Sequence, residues 1–322
     1  MTRVLGFGIA ALGAISIAGF AGCNGSGVVL PFPSSSPSPQ VVYVSAFGTS
    51  NLAIIPLPVT NVSVPTYISP TGLIASVQLT FDGSKNLWSM DDTTSSPAAV
   101  GYNRPLSGAS SPFASVNIPT PAFPTAIAFD SSGNLWVTDG GQNKVFEFAG
   151  PTFSGTTSPT PAITLSTGVS GPDGLAFDTA GNLYVSNNGT NTVLIFDAPL
   201  TNGESPTLAP ITGLHGPAGI TFDASGNLYV ANFSNGSIAR KNAPTAGGGA
   251  VETTDTATTI TSAEGLAFDA SGNLYATDLQ HSTLNVFPLA TSAFSATLAP
   301  SVTLTLTGFG ASSSGGVAVG PP

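Results

Sequence analysis

Basic charge is what this chain has least of: six Lys and Arg stand against sixteen Asp and Glu in 322 residues, for a formal charge of −10. Nucleic-acid binding draws on clustered Lys and Arg that displace counterions, and no such cluster occurs, so nucleic acid is excluded as a partner class. Charge of either sign is scarce, at 7% of residues, against roughly 25% in an average soluble domain. Long amphipathic helices need a charged outer face. Here Ser, Thr, Asn and Gly carry the polarity, which predicts many short strands instead. The single cysteine excludes an internal disulfide. There is no Ser-His-Asp order, Gly-rich phosphate loop or paired Cys/His metal spacing, so no catalytic set is visible. Abundant instead are Gly (38) and Pro (27), the residues of turns.

The N-terminus carries one positive charge, Arg3, and then an uncharged stretch of apolar and small residues from Val4 to Gly22. That is the shape of a secretion signal. The end of the stretch, Phe20-Ala21-Gly22-Cys23, resembles a bacterial lipobox. The resemblance implies that residues 1–22 are removed and that Cys23 becomes the lipidated first residue of the mature protein. Left uncleaved, the same stretch is near the length that spans a bilayer, and the chain is tethered in either case. Residues 23–40 hold the run Pro31-Phe32-Pro33-Ser34-Ser35-Ser36-Pro37-Ser38-Pro39, which cannot pair inside a sheet and reads as an extended spacer. The expected location is the bacterial cell envelope, outside the cytoplasm, with the membrane as a partner through the lipid.

From residue 79 one pattern recurs. Leu79-Thr80-Phe81-Asp82 leads to Asn86-Leu87-Trp88, and Ile127-Ala128-Phe129-Asp130 to Gly133-Asn134-Leu135-Trp136-Val137. The same order returns around Phe177-Asp178, Phe222-Asp223 and Phe268-Asp269, each followed by Gly-Asn-Leu-Tyr; successive Phe residues are 48, 48, 45 and 46 apart. Repeats of this period containing several short strands indicate propeller blades. The strands are apolar on both faces, as blades packed between neighbours require. In the Asp-x-x-Gly-Asn loop the Asp can accept from backbone amides and the Gly can take positive φ, so a tight hairpin is expected with Asp82, Asp130, Asp178, Asp223 and Asp269 in turn-forming roles. A third strand follows, as at residues 192–196, and a fourth, as at 161–165.

The two ends complete the count. Val42-Tyr43-Val44-Ser45 matches a second strand without a first, and Gly315-Gly316-Val317-Ala318-Val319-Gly320 matches a first strand without a second. The C-terminus is therefore expected to supply the first strand of blade 1 and close the ring. The fold class predicted is all-β, a six-bladed β-propeller over residues 41–322. Gly171-Pro172-Asp173-Gly174-Leu175-Ala176-Phe177-Asp178 with Gly181-Asn182-Leu183-Tyr184-Val185-Ser186-Asn187 resembles an NHL repeat. That family includes binding scaffolds, and related six-bladed propellers include SMP-30-type lactonases and streptogramin lyases.

Candidate chemistry falls on the rim opposite the Asp-Gly hairpins, where first strands begin and second strands end. Asp173 and Glu264 precede first strands at positions where other repeats have Val77, Thr125, Ala218 and Gly315. A charge that the repeat does not demand is the better functional candidate. The same rim carries Asp91, Asp139, Asn187, Asn232 and Asp278 at the ends of second strands, together with His215 and His281. Convergence of these groups over the channel would make a calcium or magnesium site. Each histidine sits between non-acidic neighbours and reads as a solvated loop residue. The function expected is a monomeric, membrane-anchored binding or scaffold module for a protein, peptide or glycan, with no cofactor required. The alternative is a metal-dependent hydrolase or lyase.

Overall fold

A computed structural model describes residues 40–93, 96–119, 122–244, 248–255, 259–289, 293–309 and 314–321. The expected signal segment, Cys23 and nearly all of the tether lie outside the described residues. The described chain forms six sheets whose four blade strands run antiparallel, and in two of them a short outer strand, Gly155–Thr157 or Gly249–Ala250, is added in parallel. Blade 2 comprises Ser76–Phe81, Leu87–Asp91, Ala98–Tyr102 and Ala114–Asn117, from the channel outward. Blade 3 comprises Pro124–Phe129, Leu135–Asp139, Lys144–Phe148 and Ile163–Leu165. Blade 4 comprises Pro172–Phe177, Leu183–Asn187, Thr192–Phe196 and Ile211–Thr212. Blade 5 comprises Pro217–Phe222, Leu228–Asn232, Ile238–Lys241 and Thr253–Asp255. Blade 6 comprises Ala263–Phe268, Leu274–Asp278, Thr283–Phe287 and Val302–Thr305.

Blade 1 is composite. Ser314–Gly320 lies innermost, followed by Val41–Ala46, Leu52–Pro56 and Thr66–Ile68. Val42 pairs with Val319, Tyr43 with Ala318 and Val44 with Val317. The C-terminal strand also touches the innermost strands of blades 6 and 2. The ring therefore closes as expected, a six-bladed β-propeller with one blade made from both chain ends.

The apolar core is distributed between blades. Trp88, Met90, Val116, Ile127, Val137 and Phe148 fill the layer between blades 2 and 3. Val145, Leu165, Leu175, Leu183, Val185 and Phe196 fill the next layer, and comparable clusters occupy the other four contacts. The second strands of blades 1 to 5 each set an aromatic ring edge-on against the Phe of the following blade: Tyr43 on Phe81, Trp88 on Phe129, Trp136 on Phe177, Tyr184 on Phe222 and Tyr229 on Phe268, with centroids 5.0–5.9 Å apart. Such edge-to-face pairs add about 0.5–1.5 kcal/mol each beyond burial.

The hairpin aspartates have the expected turn role. Asp130 Oδ1 accepts from the amides of Ser132 and Asn134, both at 2.9 Å, while Oδ2 accepts from Asn134 Nδ2 (2.9 Å) and Trp136 Nε1 (3.1 Å). Asp82 is bonded in the same way, as are Asp178 and Asp269 with a Tyr hydroxyl in place of the indole.

Candidate ligand site at the channel mouth

The opposite end of each blade is built differently. Pairing between the first and second strands slips near the start of the first strand in every blade, for example between Pro172 and Leu175, Pro217 and Ile220, and Ala263 and Leu266. The same slip occurs in blades 1, 2 and 3. A bulge takes a residue out of the ladder and re-aims its side chain. The residues at the slip include Val77, Thr125, Asp173, Ala218, Glu264 and Gly315, the ring anticipated from sequence. Hydroxyls of the preceding blade hold this ring in place. Thr138 Oγ1 donates to the Asp173 carbonyl (2.6 Å), Ser186 Oγ to that of Ala218 (2.7 Å) and Thr277 Oγ1 to that of Gly315 (2.6 Å). The blades approach so closely here that a Cβ on Gly174 would lie 2.4 Å from the Ala218 oxygen, and one on Gly219 would lie 2.3 Å from the Glu264 oxygen.

Over this ring opens a recess of about 310 Å³ whose walls include Phe47, Phe123, Phe233 and Leu279, with Asp173, Glu264 and Asn188 contributing polarity. Phe47 and Phe123 are 39% and 49% exposed, a large share for aromatic side chains. Asp173 and Glu264 are half-buried. Neither carboxyl accepts a hydrogen bond from any described residue. Burial pushes the Asp173 carboxyl up to about 7. Glu264 is pushed well above the usual carboxylate range, first by burial and then by the neighbouring Asp173. Two desolvated acids that face each other cannot both ionise cheaply, so they titrate as a pair.

The remaining rim candidates do not join them. Asp139 is fully buried, with Oδ1 accepting from the amides of Phe123 (3.1 Å) and Gln142 (3.0 Å) and Oδ2 from Gln142 Nε2 (2.8 Å). Asn187 accepts from the Ser170 amide and donates to the Gly168 carbonyl and Thr190 Oγ1. Asn232 accepts from the His215 amide and donates to Ser237 Oγ. Asp91 and Asp278 grip the preceding loops at Ile74 and Ala75, and at Thr261 and Ser262. The expected convergence is corrected in this respect: the last residue of the second strand is a buried clamp between two loops, and its oxygens are occupied. His215 has an exposed side chain. His281 is not the solitary loop residue expected; its Nδ1 lies 2.8 Å from the buried Asp278 Oδ2 and 3.2 Å from Thr261 Oγ1. Among the described residues no three His, Cys, Asp or Glu side chains are grouped to hold a metal ion.

Sequence reasoning missed the walls. Phe47, Asn188, Phe233 and Leu279 each stand one step beyond the clamp position of their blade. Aligning that step across the repeats reads Phe47, Asp92, Gly140, Asn188, Phe233, Leu279, and large apolar residues at a rim step were the available signal. A larger hollow of about 420 Å³ lies among the hairpins of blades 2 and 3, where the Asp82 and Asp130 carboxylates are committed to their turns.

Fold and site together define a six-bladed β-propeller with an acidic, apolar-walled channel mouth. A chain of a nidogen/laminin complex is similar to it, at 18% identity over 87% of this chain and 98% of that one, with a TM-score of 0.64. A protein of unknown function from Bacteroides caccae matches at 13% identity over 88% and 99%, TM-score 0.61. A candidate 6-phosphogluconolactonase from Bacteroides uniformis ATCC 8492 matches at 14% identity over 78% of each chain, TM-score 0.54. These likenesses establish the fold. No protein-family model and no curated protein matches the chain.

Proposed function

We propose that this chain is an exported, lipid-anchored protein of the bacterial cell envelope, built from NHL-type repeats, that binds a ligand at the channel mouth of its propeller. The observation that carries the reading is the recess itself: exposed aromatic walls around two half-buried carboxyls that accept no hydrogen bond from any described residue. Carboxyls drawn partly out of water at the foot of an apolar-walled recess are polar groups to which a ligand can bring the missing partners. At about 310 Å³ the recess is near the lower end of small-ligand sites, the size for one small molecule or one projecting side chain of a protein or peptide. The anchor is supported by the lipobox-like Phe20-Ala21-Gly22-Cys23. The hydrolase or lyase reading rests on the same two carboxyls and gains no third ligand from the described residues.

The test uses the full chain in detergent. The low-molecular-weight fraction of a bacterial envelope extract is expected to raise its melting temperature, and the double change Phe47→Ser with Phe123→Ser is expected to weaken that response about tenfold or more. An equal response in the variant would place the ligand elsewhere. In cells, a fatty-acid analogue should label the wild type and not Cys23→Ala; label on the variant would remove the anchor.

A further inference from the structure

We propose that the channel-mouth recess is a site for an alkylammonium ion, its primary ammonium against Asp173 and Glu264 and its apolar stem against Phe47 and Phe123. This deepens the binding-module reading, and rests on it, by naming the ligand class. The recess holds two carboxyls, neither of which accepts a hydrogen bond from a described residue. The other ring positions, Val77, Thr125, Ala218 and Gly315, bring no charge, and none of the six Lys and Arg is among the lining residues. What is missing is a positive charge that brings its own donors. An ammonium supplies one charge and three N–H groups, enough to serve both acids. The aromatic walls favour a ligand with a carbon stem and can face a cation with their rings. A divalent ion fits these walls poorly. Calcium takes about six to eight oxygens and magnesium keeps several waters, whereas most of the lining here is Phe, Leu, Val and Pro.

Burial raises both carboxyls, Asp173 to about 7 and Glu264 well above its usual range, which favours protons on the empty pair. An ammonium would displace them, so its affinity rises with pH until the amine itself deprotonates, near 10.4 for a lysine-like group. Asp173 and Glu264 are the titratable groups lining the recess. On the same rim Asp91, Asp139 and Asp278 are locked into loop clamps, His281 rests on Asp278, His215 is exposed, and Asp92 is raised by burial and by Asp91.

The experiment titrates the full chain in detergent with hexylammonium, hexanol and hexanoate, following heat and melting temperature. Hexylammonium is expected to bind at least about tenfold more tightly than either control at about pH 8, and its affinity to rise between about pH 5 and pH 7 by up to about tenfold per pH unit for each proton displaced. Asp173→Asn, Glu264→Gln and the double variant should each lose about tenfold or more while still melting cooperatively without ligand. Nα-acetyl-lysine methylamide distinguishes the source: binding equal to hexylammonium indicates a lysine side chain of a partner, and weaker binding indicates a free amine. Hexanol binding as tightly as hexylammonium would overturn the proposal. So would calcium or magnesium raising the melting temperature through both carboxyls and displacing hexylammonium. If no amine binds while the envelope extract still stabilises the wild type and not the Phe47→Ser, Phe123→Ser variant, the ammonium is wrong and the binding module stands. If the extract fails too, both fall.

Discussion

Asp178 accepts four hydrogen bonds inside its own repeat: Oδ1 from the amides of Ala180 and Asn182, both at 2.9 Å, and Oδ2 from Asn182 Nδ2 (2.8 Å) and Tyr184 OH (3.3 Å). The same phenol ring stands edge-on to Phe222 of the next blade, 5.0 Å away, so one carboxylate ties a turn to an interface. Tyr184 is pushed above the ordinary tyrosine range, first by burial and then by this carboxylate. Asp173, five residues earlier, accepts no hydrogen bond at its carboxyl from any described residue. The two should respond oppositely to neutralisation. Asp178→Ala strands several donors and is expected to lower the unfolding free energy by about 2–4 kcal/mol. Asp173→Asn removes a poorly solvated acid and should leave stability at neutral pH unchanged or higher. Chemical denaturation of both variants checks this; a loss below about 0.5 kcal/mol for Asp178→Ala would mean that water replaces the carboxylate.

The strand Ser314–Gly320 has neighbours on every side: it pairs with Val41–Ala46 and packs against the innermost strands of blades 6 and 2. Val317 and Ala318 are buried, and Val319 packs against the cluster between blades 6 and 1. Deleting residues 314–322 removes this burial, about 1.5–3 kcal/mol for each large side chain, and leaves Val41–Ala46 as an unpaired edge. Lower melting temperature and concentration-dependent aggregation are expected; unchanged light scattering and melting would argue against closure at this blade. This element was legible because a first strand and a second strand stood at opposite ends of the chain with the same pattern as the internal repeats. The hairpins were legible for the same reason, since Asp, Gly and Asn recur at fixed offsets that local turn chemistry demands. The bulge was not. It depends on how closely Gly174 and Gly219 let neighbouring backbones approach, which is a relation between blades that no single repeat contains. The clamp role of Asp139 and Asp278 was hidden likewise, because the amides they accept belong to loops sixteen or seventeen residues earlier.

Closing six blades into a ring brings the first strands together at one narrow end, so two acids that are 91 positions apart in the chain, Asp173 and Glu264, share one recess. This arrangement makes the stability of the whole molecule depend on pH. In the unfolded chain both carboxyls titrate at their ordinary values. In the fold burial raises both: Asp173 keeps its proton up to about 7, and Glu264 is held well above its ordinary range by burial and by Asp173. Between the unfolded and folded values the native state therefore binds more protons, and stability falls as pH rises, by at most about 1.4 kcal/mol per pH unit for each proton. The contribution is fully present below the ordinary carboxylate range and is lost as pH climbs through the folded values. Asp92 and Glu147, also raised by burial, act in the same direction and will remain in any variant of the pair. The wild type is thus expected to melt at a lower temperature at about pH 8 than at about pH 5, and the double change Asp173→Asn with Glu264→Gln to flatten that slope and melt above the wild type at the higher pH. Melting curves of the two proteins across this range, taken without amine or divalent ion, decide the matter. Parallel curves would show that the two carboxyls are as free to ionise in the ring as in the unfolded chain, and the argument from an unsatisfied acid pair would fail with them.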